Sequence, residues 1–225
     1  MKISNLLKRI YAKLNDNSLK DASFDFVTFL YDYYFDFIYG IDTVSWFSIA
    51  ELAKENKVAE HAVLYQATKV LPLKTLFKKL NLKEDQVFID IGSGKGRVLL
   101  LASELGFKEV RGIEFSSTLC SISEKNIKKY KKKVNTKSNF EIINLDASQY
   151  QYKDNETVFF MYNPFDEFIL EKVLKNITVS IENNKREVLI IYVNPVHRHF
   201  LEKTIKPRKV TSYNIWNVEI VVYNI

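Results

Sequence analysis

From about residue 86 onward, short apolar runs alternate with longer segments whose apolar positions recur at helical spacing. The short runs predict strands near residues 86–90, 109–114, 139–145, 157–162 and 187–193. The segments between them predict helices near residues 95–105, 117–133, 166–182 and 196–204. Such alternation favours a parallel sheet that is covered by helices on both faces.

The C-terminal tail follows a different pattern. Residues 208–214 and 216–223 are two strand candidates, and the gap between them is too short for a helix. Adjacent strands with so short a connection form an antiparallel hairpin. We therefore expect an α/β, doubly wound, mostly parallel seven-stranded sheet with a C-terminal antiparallel hairpin and a helical N-terminal extension.

The N-terminal part is expected to be a helical extension over residues 1–58, ahead of a core domain over residues 59–225. Residues 3–14 predict a basic amphipathic helix that either lies on an anionic membrane or packs on its own domain, and we expect the second. The segment from Phe24 to Tyr39 is richly aromatic. Its polar residues share one helical face: Asp25, Thr28, Asp32 and Asp36. So apolar a helix must be covered by this chain or by a partner.

The first predicted strand of the core ends in an acid and opens into a glycine-rich turn. The turn contains Asp90, Gly92, Ser93, Gly94 and Gly96. A strand that leads through such a turn into a helix is typical of a nucleotide-cofactor site. A dinucleotide fingerprint would have its third glycine at position 97, where Arg97 stands, and the spacing of a phosphate-binding P-loop is absent.

The second and third predicted strands also end in acids, Glu114 and Asp146, the latter followed by Ala147. Each acid alone is better explained as a solvated loop residue or a helix N-cap than as a ligand-binding group. Three acids at the ends of three successive strands are far less likely to occur by chance. The carboxyl ends of parallel strands lie along one edge of the sheet, and ligands bind at that edge. A carboxylate at Glu114 can accept hydrogen bonds from both hydroxyls of a ribose.

The Asp-x-Gly-x-Gly-x-Gly run of residues 90–96 resembles motif I of the class I, seven-strand, S-adenosylmethionine (SAM) methyltransferases. The likeness spans about residues 60–223 and implies SAM as cofactor and S-adenosylhomocysteine as product. In that pattern Asp146 accepts from the adenine amino group. The resemblance implies these cofactor-binding residues: Asp90, Gly92, Ser93, Gly94, Gly96, Glu114, Asp146 and Ala147.

The fourth predicted strand runs into Asn163, Pro164, Phe165 and Asp166, which are the catalytic candidates. This turn resembles the Asn-Pro or Asp-Pro turn of methyltransferases that act on amino nitrogen. Pro164 restricts Asn163, so the oxygens of the turn can accept from an amine, while Phe165 can cover the acceptor. Asp166 either attracts a cationic lysine or caps the next helix. Adenine-directed enzymes usually carry a second proline where this chain has Phe165, and a plain turn with Phe165 in the core is the alternative.

Upstream of the glycine turn, Tyr65 and Thr68 lie in a segment similar to the Tyr-x-Pro-Thr segment of some bacterial class I and protein-lysine methyltransferases. The likeness implies that their hydroxyls lie near the carboxylate of the cofactor's methionine part. Ala67 stands where those proteins have proline. The alternative is a core tyrosine and an N-cap threonine.

The amino-acid composition argues against several kinds of site. The 225 residues carry a single cysteine, Cys120, so an intramolecular disulfide is excluded, and no Cys/His cluster has zinc spacing, so we expect no metal. With no secretory signal or spanning segment in the sequence, we expect a cytoplasmic protein. The net charge is +6, with lysines concentrated over residues 125–137. We interpret that cluster as solvated surface rather than as a nucleic-acid site.

These observations predict a SAM-dependent methyltransferase that acts on an amine, with a protein lysine as the preferred acceptor. Nucleic-acid adenine, or O- or N-methylation of a small molecule or sugar, is the alternative. A different class also stays open, in which the chain is a non-catalytic SAM-binding or partner-binding module. The sequence leaves the acceptor and the oligomeric state open.

Overall fold

The computed structural model describes residues 19–45, 66–80 and 82–225. The predictions for residues 3–14 and for Tyr65 lie outside the described residues. Along the chain the elements are α1 (Leu19–Tyr39), α2 (Val70–Lys79), β1 (Val87–Ile91), α3 (Arg97–Glu104), β2 (Glu109–Glu114), α4 (Ser117–Lys133), β3 (Asn139–Asn144), β4 (Glu156–Tyr162), α5 (Glu167–Asn183), β5 (Leu189–Val193), α6 (Arg198–Ile205), β6 (Lys209–Ile215) and β7 (Val218–Asn224).

The seven strands form one sheet in the order β3-β2-β1-β4-β5-β7-β6. The first five run parallel, and β7 pairs antiparallel with both β5 and β6. This confirms the expected doubly wound sheet with its closing hairpin. The strand order reverses between β1 and β4, and in such sheets ligands bind at the carboxyl ends of the strands beside that reversal.

Alternating residues of the strands enter two separate hydrophobic cores, one on each face of the sheet. Phe88 and Phe160 pack with residues of α2, α3 and α4 on one face. Ile89 and Met161 pack with residues of α5 and α6 on the other. The near-continuous apolar runs of β1 and β4 follow from this burial on both faces.

Helix α1 inverts much of the usual amphipathic arrangement, although Phe35 on its buried side enters the hydrophobic core. Its polar residues Thr28, Asp32 and Asp36 are buried, whereas aromatic and aliphatic residues along the opposite face are exposed. The sequence correctly groups the polar positions on one face, but it does not say which face points inward. The reason for the inversion lies in the site described next.

Helix α2 begins at Val70, and its N-cap residue Lys69 makes no side-chain capping bond. The cap comes instead from α1, because Asp32 Oδ1 accepts from the Val70 N–H at 2.8 Å. Thr68 therefore does not act as the N-cap of this helix. Among the described residues no helix is long and apolar enough to cross a lipid bilayer.

Candidate active site

A cleft lies at the carboxyl ends of β1, β2 and β4, where the strand order reverses. It is lined by Gln66, Ala67 and Thr68 ahead of α2; Asp90, Gly92, Ser93 and Gly94 of the glycine turn; Arg97 and Val98 of α3; Glu114, Phe115 and Leu119 after β2; and Phe160, Tyr162, Asn163 and Pro164 at the end of β4. The structure thus brings together eight of the predicted site residues: Thr68, Asp90, Gly92, Ser93, Gly94, Glu114, Asn163 and Pro164.

The glycine turn is held against the Asn-Pro turn. Gly92 has a φ of +80°, and a Cβ added there would come within 2.7 Å of Pro164 Cβ, so only glycine fits. The Gly92 and Ser93 N–H groups donate to the Ile113 carbonyl at 2.9 and 3.0 Å, which fixes the turn to the end of β2. The two loops predicted to hold the cofactor and the acceptor therefore form one packed unit.

Glu114 fastens the loops of the cleft together. Its Oε2 accepts from the Gly94 N–H at 2.9 Å, and its Oε1 accepts from the Ser116 N–H at 3.0 Å. A carboxylate oxygen can accept more than one hydrogen bond, so these two contacts are compatible with the binding of ribose hydroxyls. The sequence predicts only the ligand-binding role, and the structure adds that Glu114 shapes the turn.

Asp90 is the buried acid at the floor of the cleft, 2% exposed. Its pKa is raised well above the usual value, first by burial and then by the neighbouring charge of Glu114. Two acids in so little water favour a cationic ligand, because a positive charge nearby lowers the cost of ionising both. These two acids, beside the apolar side chains of Phe115 and Leu119, fit SAM, which carries an ammonium, a sulfonium, a ribose and an adenine ring.

Asn163 has the left-handed backbone conformation, with a φ of +38°. Its Oδ1 accepts from the hydroxyl of Tyr192 at 2.9 Å. Tyr192 lies on β5 and is 1% exposed, and burial raises its pKa to about 12, so the hydroxyl keeps its proton at neutral pH. The Asn163 side chain is therefore held in one orientation. Sequence reasoning missed Tyr192, because nothing distinguishes it from the other residues of an apolar strand.

Two of the four catalytic candidates, Phe165 and Asp166, are not among the residues that line the cleft. Phe165 is buried in the core that includes Ile169 and Leu170 of α5 and is not among the residues that line the cleft, so its role in covering the acceptor stays a prediction. Asp166 is the N-cap of α5, and its Oδ1 accepts from the Ile169 N–H at 3.1 Å. Helix α5 begins at Glu167, so Phe165 and Asp166 connect the Asn163-Pro164 turn to this helix.

Three cofactor candidates also lie outside the cleft lining of the described chain. Asp146 accepts from the backbone and the hydroxyl of Ser148, both at 2.8 Å, and Ala147 is buried in a core. Gly96 is the N-cap of α3 and packs against Ser123. The part of Asp146 in binding adenine stays a prediction.

Arg97, which occupies the third-glycine position, is 3% exposed and is the centre of a buried polar network. Its Nε donates to Thr43 Oγ1 at 2.6 Å, and its Nη1 donates to the Thr68 carbonyl at 2.9 Å and lies 3.2 Å from Asp32 Oδ2. Asp36 lies 3.6 Å from Nη2 and also accepts from the Thr43 and Val44 N–H groups. Arg97 thereby ties α1 to Thr68 at the edge of the cleft.

This network explains the inverted orientation of α1. The acids of its polar face turn inward because they meet the buried guanidinium, and a buried charge is tolerated only when it is paired. The signal was present in the sequence, since an arginine follows the glycine turn and a distant helix carries acids on one face. The sequence does not show that the two meet.

Comparison with solved structures shows the same fold in several proteins. A precorrin-6y C5,15-methyltransferase from Geobacter metallireducens GS-15 is 18% identical, with a TM-score of 0.55, over 74% of this chain and 94% of that one. A SAM-dependent methyltransferase from Aquifex aeolicus is 15% identical, with a TM-score of 0.56, over 79% and 98%. An RNA methyltransferase from Salinibacter ruber, in complex with S-adenosyl-L-homocysteine, is 16% identical, with a TM-score of 0.50, over 70% and 93%.

A comparison with curated protein sequences gave no match. The family described as "Histone methylation protein DOT1" matches residues 50–185, which is more than half of the chain. That span includes the glycine turn, Glu114 and the Asn163-Pro164 turn, which together build the cleft. The chain therefore belongs to the DOT1 family and is a class I SAM-dependent methyltransferase.

Proposed function

We propose that this protein transfers the methyl group of SAM to the side-chain amine of a protein lysine. The observation that carries the proposal is the Asn163-Pro164 turn, which lines the same cleft as Asp90 and Glu114 and is packed against Gly92. The description of the matching family, a histone methylation protein, favours a protein as acceptor over a nucleic acid or a small molecule.

The cofactor end of the cleft contains the acids. Glu114 would hold the ribose through its two carboxylate oxygens, while Asp90 would favour the positive charge of the ligand. Thr68 lines the cleft, and its resemblance implies that its hydroxyl would lie near the carboxylate of the cofactor's methionine part. When bound, SAM supplies an electrophilic methyl group on a sulfonium.

The acceptor end is formed by polar groups with fixed positions. The Asn163 side-chain oxygen, held by Tyr192, keeps a second acceptor site for an N–H of the incoming amine. Tyr162 lines the cleft as well, and its pKa is raised to about 12, first by burial and then by Asp32, so its hydroxyl stays neutral. These residues orient a nucleophile rather than react with it, and positioning is the main source of rate in such a transfer.

The direct test is incubation of the purified full chain with methyl-labelled SAM and a cell extract, followed by separation into protein, nucleic-acid and small-molecule fractions. We expect label in protein, recovered after hydrolysis as methylated lysine. Label confined to nucleic acid or to small molecules would refute the proposal that the acceptor is a protein lysine. Saturable SAM binding with label in none of the fractions would instead identify a non-catalytic SAM-binding module.

A variant test locates the chemistry. Asn163→Ala should lower kcat by roughly 10²-fold, typical of a lost positioning contact, while the Kd for SAM stays nearly the same. Asn184→Ala is the matched control, because Asn184 is the C-cap of α5 and its side-chain amide donates to the Asp154 carbonyl just before β4, at the opposite end of that strand from Asn163. Wild-type turnover in Asn163→Ala would remove Asn163 from the acceptor site.

A further inference from the structure

The outward face of α1 is an apolar stripe. Its exposed members are Phe26, Val27, Leu30, Tyr33, Tyr34, Phe37 and Ile38, whose exposed fractions range from 38% to 82%. Phe37 is the most exposed of them, at 82%. A contiguous apolar surface of this kind marks an interaction site in a folded protein.

The stripe is continuous along the helix. Phe26, Leu30, Tyr33 and Phe37 follow one another at alternating spacings of four and three residues, which keeps them on one side of an α-helix. At 1.5 Å per residue, the row from Phe26 to Phe37 is about 17 Å long. The polar side of α1 is occupied by Arg97, so the stripe cannot turn inward without breaking that network.

One end of the stripe adjoins the basic helix α4. Lys133 Nζ donates to the Ile38 carbonyl at 2.6 Å, and the rings of Tyr39 and Tyr130 meet at 4.9 Å between centroids. The exposed lysines of α4 are Lys125, Lys128, Lys129, Lys131, Lys132 and Lys133, with Glu124 as the one acid of that helix. Lys125 and Lys129 share the side of α4 that carries Lys133 and continue the stripe as a cationic row, whereas Lys128, Lys131 and Lys132 lie beside Phe140 and Ile142 of β3.

We propose that this surface docks on an anionic lipid bilayer. Aromatic and aliphatic side chains of the stripe would enter the boundary between headgroups and acyl chains, and the lysines would lie against anionic headgroups, each contributing about 1 kcal/mol near such a surface. A second copy is a poorer occupant, because it would bring together two chains of net charge +6 and their lysine clusters. A nucleic acid would pair with the lysines but leave the stripe in water.

Docking in this way would place the catalytic cleft close to the lipid. The inward face of α1 reaches Thr68 at the cleft edge through Arg97, so one helix diameter, about 10 Å, separates the bilayer surface from the edge of the cleft. The inference does not depend on the identity of the acceptor.

The test is co-sedimentation of the purified full chain with phosphatidylcholine vesicles, with and without about one third phosphatidylserine. We expect binding to the phosphatidylserine vesicles that weakens as salt is added, because surface charges are screened. Phe37→Ser should weaken binding about tenfold, and Lys125→Gln with Lys129→Gln should weaken it by about tenfold or more. Phe168→Ser is the matched control, since Phe168 is 53% exposed on α5, which packs on the opposite face of the sheet.

Several results would overturn the proposal. Binding that is absent, or equal for Phe37→Ser and wild type, would exclude the stripe as a lipid-docking surface. A dimer seen by light scattering and lost in Phe37→Ser would assign the face to a second copy. A lowered unfolding midpoint in Phe37→Ser, without vesicles, would show that the stripe is covered by this chain itself. Retention on nucleic acid through the lysines alone would likewise count against lipid.

Discussion

Replacing Arg97 with methionine tests the network that joins α1 to the cleft. Arg97→Met keeps an unbranched apolar stem and removes the guanidinium with all its polar contacts. Those contacts are the ion pairs to Asp32 and Asp36, at 3.2 and 3.6 Å, and the bonds to Thr43 Oγ1 and the Thr68 carbonyl, at 2.6 and 2.9 Å. Two acids are then left buried without their cation.

The expected loss in the free energy of unfolding follows from that burial. Removing one partner of a buried ion pair costs about 3–5 kcal/mol, because the remaining charge stays out of water. We expect a loss in this range at neutral pH. Arg198→Met is the control, since Arg198 pairs with Glu202 at 2.8 Å on the surface of α6, where such pairs contribute about 0.3–0.5 kcal/mol.

The loss should depend on pH in a defined direction. Burial already raises the pKa of Asp32 above its ordinary value, although Arg97 opposes this, so removing Arg97 should raise that pKa further. An acid whose folded-state pKa is raised stabilises the fold below its unfolded pKa and loses that contribution as pH rises through the folded value. The loss in the free energy of unfolding that Arg97→Met causes should therefore become smaller as the pH falls from neutral towards the pKa that Asp32 has in the unfolded chain.

The assay is urea unfolding of wild type, Arg97→Met and Arg198→Met at neutral and acidic pH. Arg97→Met combined with Asp32→Asn should recover part of the loss, because asparagine removes the unpaired charge and still accepts from the Val70 N–H. A loss below about 1 kcal/mol at neutral pH would refute the reasoning, and so would a loss equal to that of the surface control.

Three further predictions concern the cleft. Glu114→Gln replaces one acceptor by a donor that faces the Gly94 or Ser116 N–H, so calorimetry should show SAM binding weakened by about 1.5–3 kcal/mol. Affinity for SAM should rise with pH through the raised pKa of Asp90, because the cation favours the ionised acid, and Asp90→Asn should flatten that profile. Tyr192→Phe should lower kcat about tenfold at unchanged Kd for SAM, whereas Tyr223→Phe on β7 should leave kcat intact.

The fold and the position of the cleft could be predicted because each depends on local chemistry. A strand that is buried on both faces appears in the sequence as an apolar run, and a turn at positive φ needs glycine. Both β1 and the turn after it can therefore be predicted from one short stretch of sequence. The role of Phe165 could not be decided in this way. A phenylalanine after an Asn-Pro turn has the same local pattern whether its ring enters the cleft or the core, and packing against α5 decides.

Most of the site contacts that the sequence pattern did not predict join residues that are far apart in the sequence. Tyr192 on β5 contacts Asn163 at the end of the neighbouring strand β4, and Asp32 caps α2 and pairs with Arg97 from another helix. Each residue alone has an ordinary explanation, as a core tyrosine or as a solvated acid. Their function comes from register and packing, which a single sequence does not specify.

Arg97 connects features that look separate along the chain. Arg97 occupies the position where a dinucleotide fingerprint has its third glycine, and its buried guanidinium needs carboxylate partners. Asp32 and Asp36 can be those partners only if the polar face of α1 points inward. The apolar face of the same helix must then point outward, where Phe37 is 82% exposed. The departure from the dinucleotide fingerprint at the cofactor turn and the exposed stripe on α1 are thus consequences of one buried charge.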